Sequence, residues 1–133
     1  MNDSTWILED YAAALEQLEV ALAEPAQHDV VKAGCIQYFE FCFELAWKSI
    51  KVVINQTGLP ECLSPKTCLR QAYTQGWITV ETTWLKMLDA RNRMSHTYDA
   101  KKALEIYRML PEFHIELKSL LLQLQSISED EEL

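Results

Sequence analysis

From His28 to Asn55 the chain is apolar on almost every side. Ile36, Phe39, Phe41, Phe43, Leu45, Trp47, Ile50, Val52, Val53 and Ile54 crowd too closely for a single amphipathic stripe. The one continuous polar stripe is Gln37, Glu40, Glu44, Lys48, Lys51 and Asn55, at the three- and four-residue steps of a helix. A helix with so wide an apolar arc must be covered on several sides. The chain therefore has to build a bundle around it, and a second subunit is expected to supply part of the cover.

The flanking segments fit that requirement. Leu8, Tyr11, Leu15, Leu18 and Leu22 repeat at helical spacing, predicting a helix from about Thr5 to Glu24, capped by Ser4 or Thr5 and ended by Pro25. Thr57-Gly58 closes the central helix. Ser64-Pro65 reads as N-cap and first helical residue of a short helix that runs to about Thr74 and stops at Gly76. Another helix from about Thr79 carries Trp84, Leu85 and Leu88 toward Arg91. Periodicity lapses over Asn92–Tyr98, and Asp99 is placed to cap a last helix bearing Leu104, Tyr107, Leu110, Phe113, Leu117, Leu121 and Leu124. Pro111 inside it is expected to kink or split it. The fold class expected is all-α, an up-and-down four-helix bundle with one extra short helix. Residues 1–127 form the single domain, and 128–133 an acidic, disordered tail.

Composition narrows the function. The net charge is −8, so general affinity for nucleic acid is not expected of the whole surface. Residues 85–108 are the exception: Lys86, Arg91, Arg93, Lys101, Lys102 and Arg108 face Asp89, Asp99 and Glu105, half of the chain's 12 basic residues in one island. Cys35, Cys42, Cys62 and Cys68 show neither a CxxC pair nor zinc spacing, and read as buried, reduced thiols. Met1 to Glu9 lacks the basic start and apolar run of a signal peptide, and no window is long and apolar enough to span a membrane. A cytoplasmic location is expected.

Arg91 and His96 flank the lapse in periodicity. On an unbroken helix they would point to different faces; a break lets them share one surface. A permanent cation beside a group that titrates near neutrality suits metal-independent RNA cleavage. The imidazole moves protons at the 2′- and 5′-oxygens, and the guanidinium stabilises the phosphate charge. Glu40 and Glu44, on the polar stripe, are candidates to line the same cleft and orient Arg91 or His96. Read more plainly, they are a solvated stripe with an i,i+4 pair from Glu44 to Lys48. No Glu-x-x-His pair supports a metal site, and no Gly-rich phosphate loop or nucleophile elbow occurs. His28 and His114 read as structural, and Trp6, Trp47, Trp77 and Trp84 as core or interface anchors.

The segment Arg91-Asn92-Arg93-Met94-Ser95-His96-Thr97-Tyr98 resembles the R-x4-H-x-Y motif of HEPN-domain toxins of the HepT type. The helix around Ile36–Lys48 resembles that of the related nucleotidyltransferase substrate-binding group, and the likeness spans roughly residues 8–125. The resemblance implies a HEPN bundle that forms a homodimer, with paired motifs facing one cleft. It also implies RNA as substrate, Arg91 and His96 as catalytic residues, and Asn92 as the polar residue that follows the arginine. The implied partner is a minimal nucleotidyltransferase, an antitoxin that AMPylates Tyr98; no cofactor is implied. The alternative is a non-catalytic substrate-binding subunit of the nucleotidyltransferase complex.

Overall fold

In a computed structural model, residues 4–25, 28–94 and 99–132 are described. They form α1 (Ser4–Ala23), α2 (Asp29–Thr57), α3 (Pro65–Thr74), α4 (Glu81–Met94) and α5 (Ala100–Glu132). α2 is the axis of the bundle and touches each of the other four helices. That arrangement answers its wide apolar arc from within one chain: Phe39, Phe43, Ala46, Ile50, Val53 and Ile54 are all fully buried. Phe41, in the middle of this helix, is half exposed at 50%, and Val30 in its first turn is exposed as well.

Side-chain bonds give the directions. The Ser4 and Ser128 hydroxyls share a hydrogen bond, and the Tyr11 hydroxyl donates to the Leu117 carbonyl. Because rising numbers on α1 meet falling numbers on α5, those helices are antiparallel. Phe39 packs on Phe113 and Lys32 lies over the Tyr107 ring, so α2 and α5 run the same way. Thr83 on α4 donates to Glu112 on α5 while Met94 lies by Ala100 and Ala103, so α4 runs opposite to α5 and the four long helices alternate up and down, with α3 as the short extra.

The helix ends follow the capping chemistry of the sequence. Ser64 accepts from the Thr67 amide while the Thr67 hydroxyl accepts from the Ser64 amide, a reciprocal capping box ahead of Pro65. Gly58 ends α2 at φ 75°, the left-handed conformation that glycine reaches without a Cβ penalty. Asp99 Oδ1 accepts from the Lys101 and Lys102 amides at 3.0 and 3.3 Å, starting α5.

Three expectations need correction. Pro111 does not split α5, which is continuous from Ala100 to Glu132. The ring removes one backbone bond, to the Tyr107 carbonyl, while Leu110, Phe113 and Leu117 on either side are fully buried and hold the helix together. The acidic end is helical as far as Glu132 where a disordered tail was expected from 128, with Ser128 buried against Ser4. Cys35 and Cys42 are buried free thiols, but Cys62 and Cys68 are joined in a disulfide. The linker before Ser64 folds back over the first turn of α3 and brings their Cα atoms to 5.1 Å. Closing so short a loop removes about 2 kcal/mol of unfolded-chain freedom. Dithiothreitol is therefore expected to lower the melting temperature by roughly 5–10 °C. Cys62→Ser/Cys68→Ser should melt at the reduced protein's temperature with or without the reductant.

No helix among the described residues is long and apolar enough to cross a membrane.

Candidate functional site

Arg91 lies in the last turn of α4, where the helix approaches α2. Its Nε donates to Glu44 Oε1 at 2.8 Å, and both side chains are about one-third exposed, 33% and 31%. The second Glu44 oxygen accepts from Trp47 Nε1 at 3.0 Å, one turn along α2. Lys48 Nζ sits 5.9 Å from the centre of the Trp47 ring. Glu44 is thus fixed by two donors, and it in turn fixes the guanidinium through the inner nitrogen. Arg91 Nη1 donates to Asn92 Oδ1 at 3.1 Å. An arginine carries five N–H donors in a rigid fork. Among the described residues Glu44 and Asn92 are its hydrogen-bond partners, which leaves donors for an anion.

The structure therefore brings Arg91, Asn92 and Glu44 together. Glu40 sits one turn before Glu44 on α2. Burial raises the Glu40 carboxyl above its ordinary pKa, and the neighbouring Glu44 charge adds to the rise. His96 and Tyr98 lie outside the described residues. α4 ends at Met94 and α5 begins at Ala100, so the chain on both sides of them belongs to two separate, antiparallel helices.

Beside this cluster is a cavity of about 390 Å3 that α2, the end of α4 and the start of α5 enclose. Ile36, Met94 and Leu104 give it apolar walls, and Gln37 and Glu40 give it a polar edge. Gln37 was visible in the sequence as a member of the polar stripe, but nothing in the spacing showed a hollow next to it. The Trp47–Glu44 bond was missed as well, although an i,i+3 pair of that chemistry is a legible signal. Of the four tryptophans, Trp84 is core, Trp47 and Trp77 pack against the core, and Trp6 is 56% exposed. His114 is largely buried in α5, with Nε2 3.9 Å from Glu19 Oε2. Among the described residues no group of three or more His, Cys, Asp or Glu side chains is placed to hold a metal ion.

A family model described as nucleotidyltransferase substrate binding protein like matches residues 7–126. A protein of Haemophilus influenzae named probable ribonuclease HepT is 38% identical over 101 residues, covering 73% of this chain and 69% of that protein. Two solved structures share the fold. One, from Thermus thermophilus, superposes with a TM-score of 0.80 at 28% identity, covering 86% of this chain and 98% of its own. The other, from Haemophilus influenzae, is described as revealing the fold of a substrate binding domain of a nucleotidyltransferase. It gives a TM-score of 0.78 at 32% identity, covering 89% of this chain and 98% of its own.

Proposed function

The chain belongs to the nucleotidyltransferase substrate binding protein-like family, and on that premise we propose that it is a HepT-like, metal-independent endoribonuclease whose partner nucleotidyltransferase silences it. One observation carries the reading. Arg91 is anchored by Glu44, with guanidinium donors unused among the described residues, at the junction of α4 and α5 whose connecting segment contains His96 and Tyr98. The 38% identity to a probable ribonuclease HepT supports it.

In this reading His96 serves the proton transfers. The 2′-hydroxyl loses its proton and its oxygen bonds to phosphorus. The bond to the 5′-oxygen breaks, and that oxygen takes up a proton, leaving a 2′,3′-cyclic phosphate and a 5′-hydroxyl. Arg91 stabilises the extra negative charge on the phosphoryl oxygens as this happens. Glu44 holds the guanidinium in place by its Nε, so the outer face is not free to swing away. Two copies of the chain would face their motifs across one cleft, in a cytoplasmic homodimer that acts as the toxin of a toxin–antitoxin pair. In silencing, the Tyr98 phenolic oxygen attacks the α-phosphorus of ATP and pyrophosphate leaves. Tyr98 is two residues beyond His96, so the added AMP places a bulky anion at the site.

The test pairs the chain with its nucleotidyltransferase and ATP, using RNA cleavage in the presence of EDTA and intact-protein mass as readouts. The expected result is cleavage by the free chain, and loss of cleavage together with an AMP mass increase that Tyr98→Phe abolishes. A second reading follows from the structural relative described as a substrate binding domain of a nucleotidyltransferase. As a non-catalytic binding subunit, the chain would form a stable complex with the enzyme that survives Arg91→Ala, and would cut no RNA alone.

A further inference from the structure

We propose that the cavity between the first half of α2 and the start of α5 is a nucleobase subsite, seating one base of the RNA whose phosphate Arg91 holds. This rests on the RNA-cleaving reading above.

The volume, about 390 Å3, lies within the range of small-molecule sites, roughly 300–1,000 Å3. It exists because small side chains, Ala33, Ala100 and Ala103, stand where α2 and α5 converge. Ile36, Met94 and Leu104 supply apolar surface for the faces of a ring. Gln37 and Glu40, three residues apart on one side of α2, supply the edge. An amide that both donates and accepts, beside a carboxylate that accepts, matches the amino and ring-nitrogen groups along the edge of a base.

The same lining argues against the other occupants of such a space. Glu40 and Asp29 outweigh Lys32 against a phosphate, and among the described residues no group of three His, Cys, Asp or Glu side chains is placed to hold a metal ion. A neutral ring with N–H donors meets neither objection. Burial and Glu44 hold the Glu40 carboxyl above its ordinary pKa, and an N–H donor from a base would ease that unfavourable desolvation. Position agrees with chemistry. Glu40 and Glu44 are four residues apart, about 6 Å along the helix axis, and Glu44 grips Arg91. The base subsite and the phosphate anchor are therefore neighbours on one rigid element. Met94, which lines the cavity, is the last described residue before the segment containing His96, and Ala100, also in the lining, begins α5 just beyond it.

The experiment titrates the full chain with AMP, CMP, GMP and UMP, and with ribose 5-phosphate as the base-free probe. NMR signals of the Ile36, Met94 and Leu104 methyls are followed. Nucleotides should shift these methyls and ribose 5-phosphate should not. Gln37→Ala should weaken the binding about tenfold, and Ala103→Leu, which fills the space, should abolish it while the protein stays folded. In parallel, Gln37→Ala should alter which base flanks the cut in a mixed-sequence RNA. Equal shifts from ribose 5-phosphate, or none from any nucleotide, would overturn the subsite. Shifts from AMP alone with an unchanged base preference would also overturn it, and point to the AMP group of the silenced protein. RNA cut with no shift of the methyls sinks the subsite and spares the ribonuclease. Base-dependent shifts without any cleavage sink the ribonuclease and spare the base-binding cavity.

Discussion

Replacing His96 with alanine is expected to slow RNA cleavage roughly 10²- to 10⁴-fold, the usual contribution of a positioned acid–base group, while thermal stability stays within about 0.5 kcal/mol of wild type. Arg91→Ala should cost a comparable factor, because it removes the charge that meets the phosphate as the transition state forms. The two differ in what they leave behind. Without Arg91, the Glu44 carboxylate keeps the Trp47 donor among the described residues and still faces Glu40. Arg91→Lys separates charge from geometry. It keeps the cation but loses the Nε–H that binds Glu44 and the planar fork that grips a phosphate. It should recover little of the lost rate. Single-turnover cleavage of one RNA in EDTA measures all three, with growth of cells expressing each variant as the second readout. Cleavage by His96→Ala at the wild-type rate would move the chemistry to other residues.

Much of the scaffold behind that experiment was legible because its signals are local. The Ser64-Pro65 start, the Gly58 stop and the Asp99 cap each depend on one or two side chains bonding to the nearest backbone, and the structure repeats them residue for residue. The polar stripe of α2 was legible for the same reason. What it did not disclose is which member meets another helix. That Glu44, and not Glu40, takes the guanidinium depends on how α4 crosses α2, and no spacing within either segment encodes it. The cavity was invisible on the same grounds, since a gap is a property of three converging helices. The Cys62–Cys68 bond was missed because a linker has to double back before those sulfurs meet. Pro111 shows the opposite failure, in which a sound local rule lost to tertiary packing. Burial of Leu110, Phe113 and Leu117 outweighed one missing hydrogen bond.

The largest effect on stability is expected at Phe39. Its ring is fully buried and lies 5.2 Å from that of Phe113 on α5 and 6.2 Å from that of Phe43. Phe43 continues the row to Trp84 on α4 at 6.5 Å. The row of rings thus joins the three helices that carry the site, with Phe39 as its link to α5 and Phe43 its link to α4. Phe39→Ala removes the ring and leaves a hole among elements too rigid to collapse, at a cost of about 3–5 kcal/mol. Set against a total of roughly 5–15 kcal/mol for a domain, that lowers the melting temperature by roughly 10–20 °C. Phe39→Leu keeps most of the volume and should cost less than half as much. Cleavage should fall with the alanine variant even below its melting point, because Phe39 is adjacent to Glu40 and seats the turn of α2 from which Glu44 reaches Arg91. Phe41 is the comparison that gives the result its meaning. It lies two residues away on the same helix, yet half of it faces solvent in the single chain. As a surface residue, Phe41→Ala should change stability by no more than about 0.5 kcal/mol. A loss that approaches that of Phe39→Ala, and that grows as the protein is diluted, would mean that a second copy covers this face of α2 in solution.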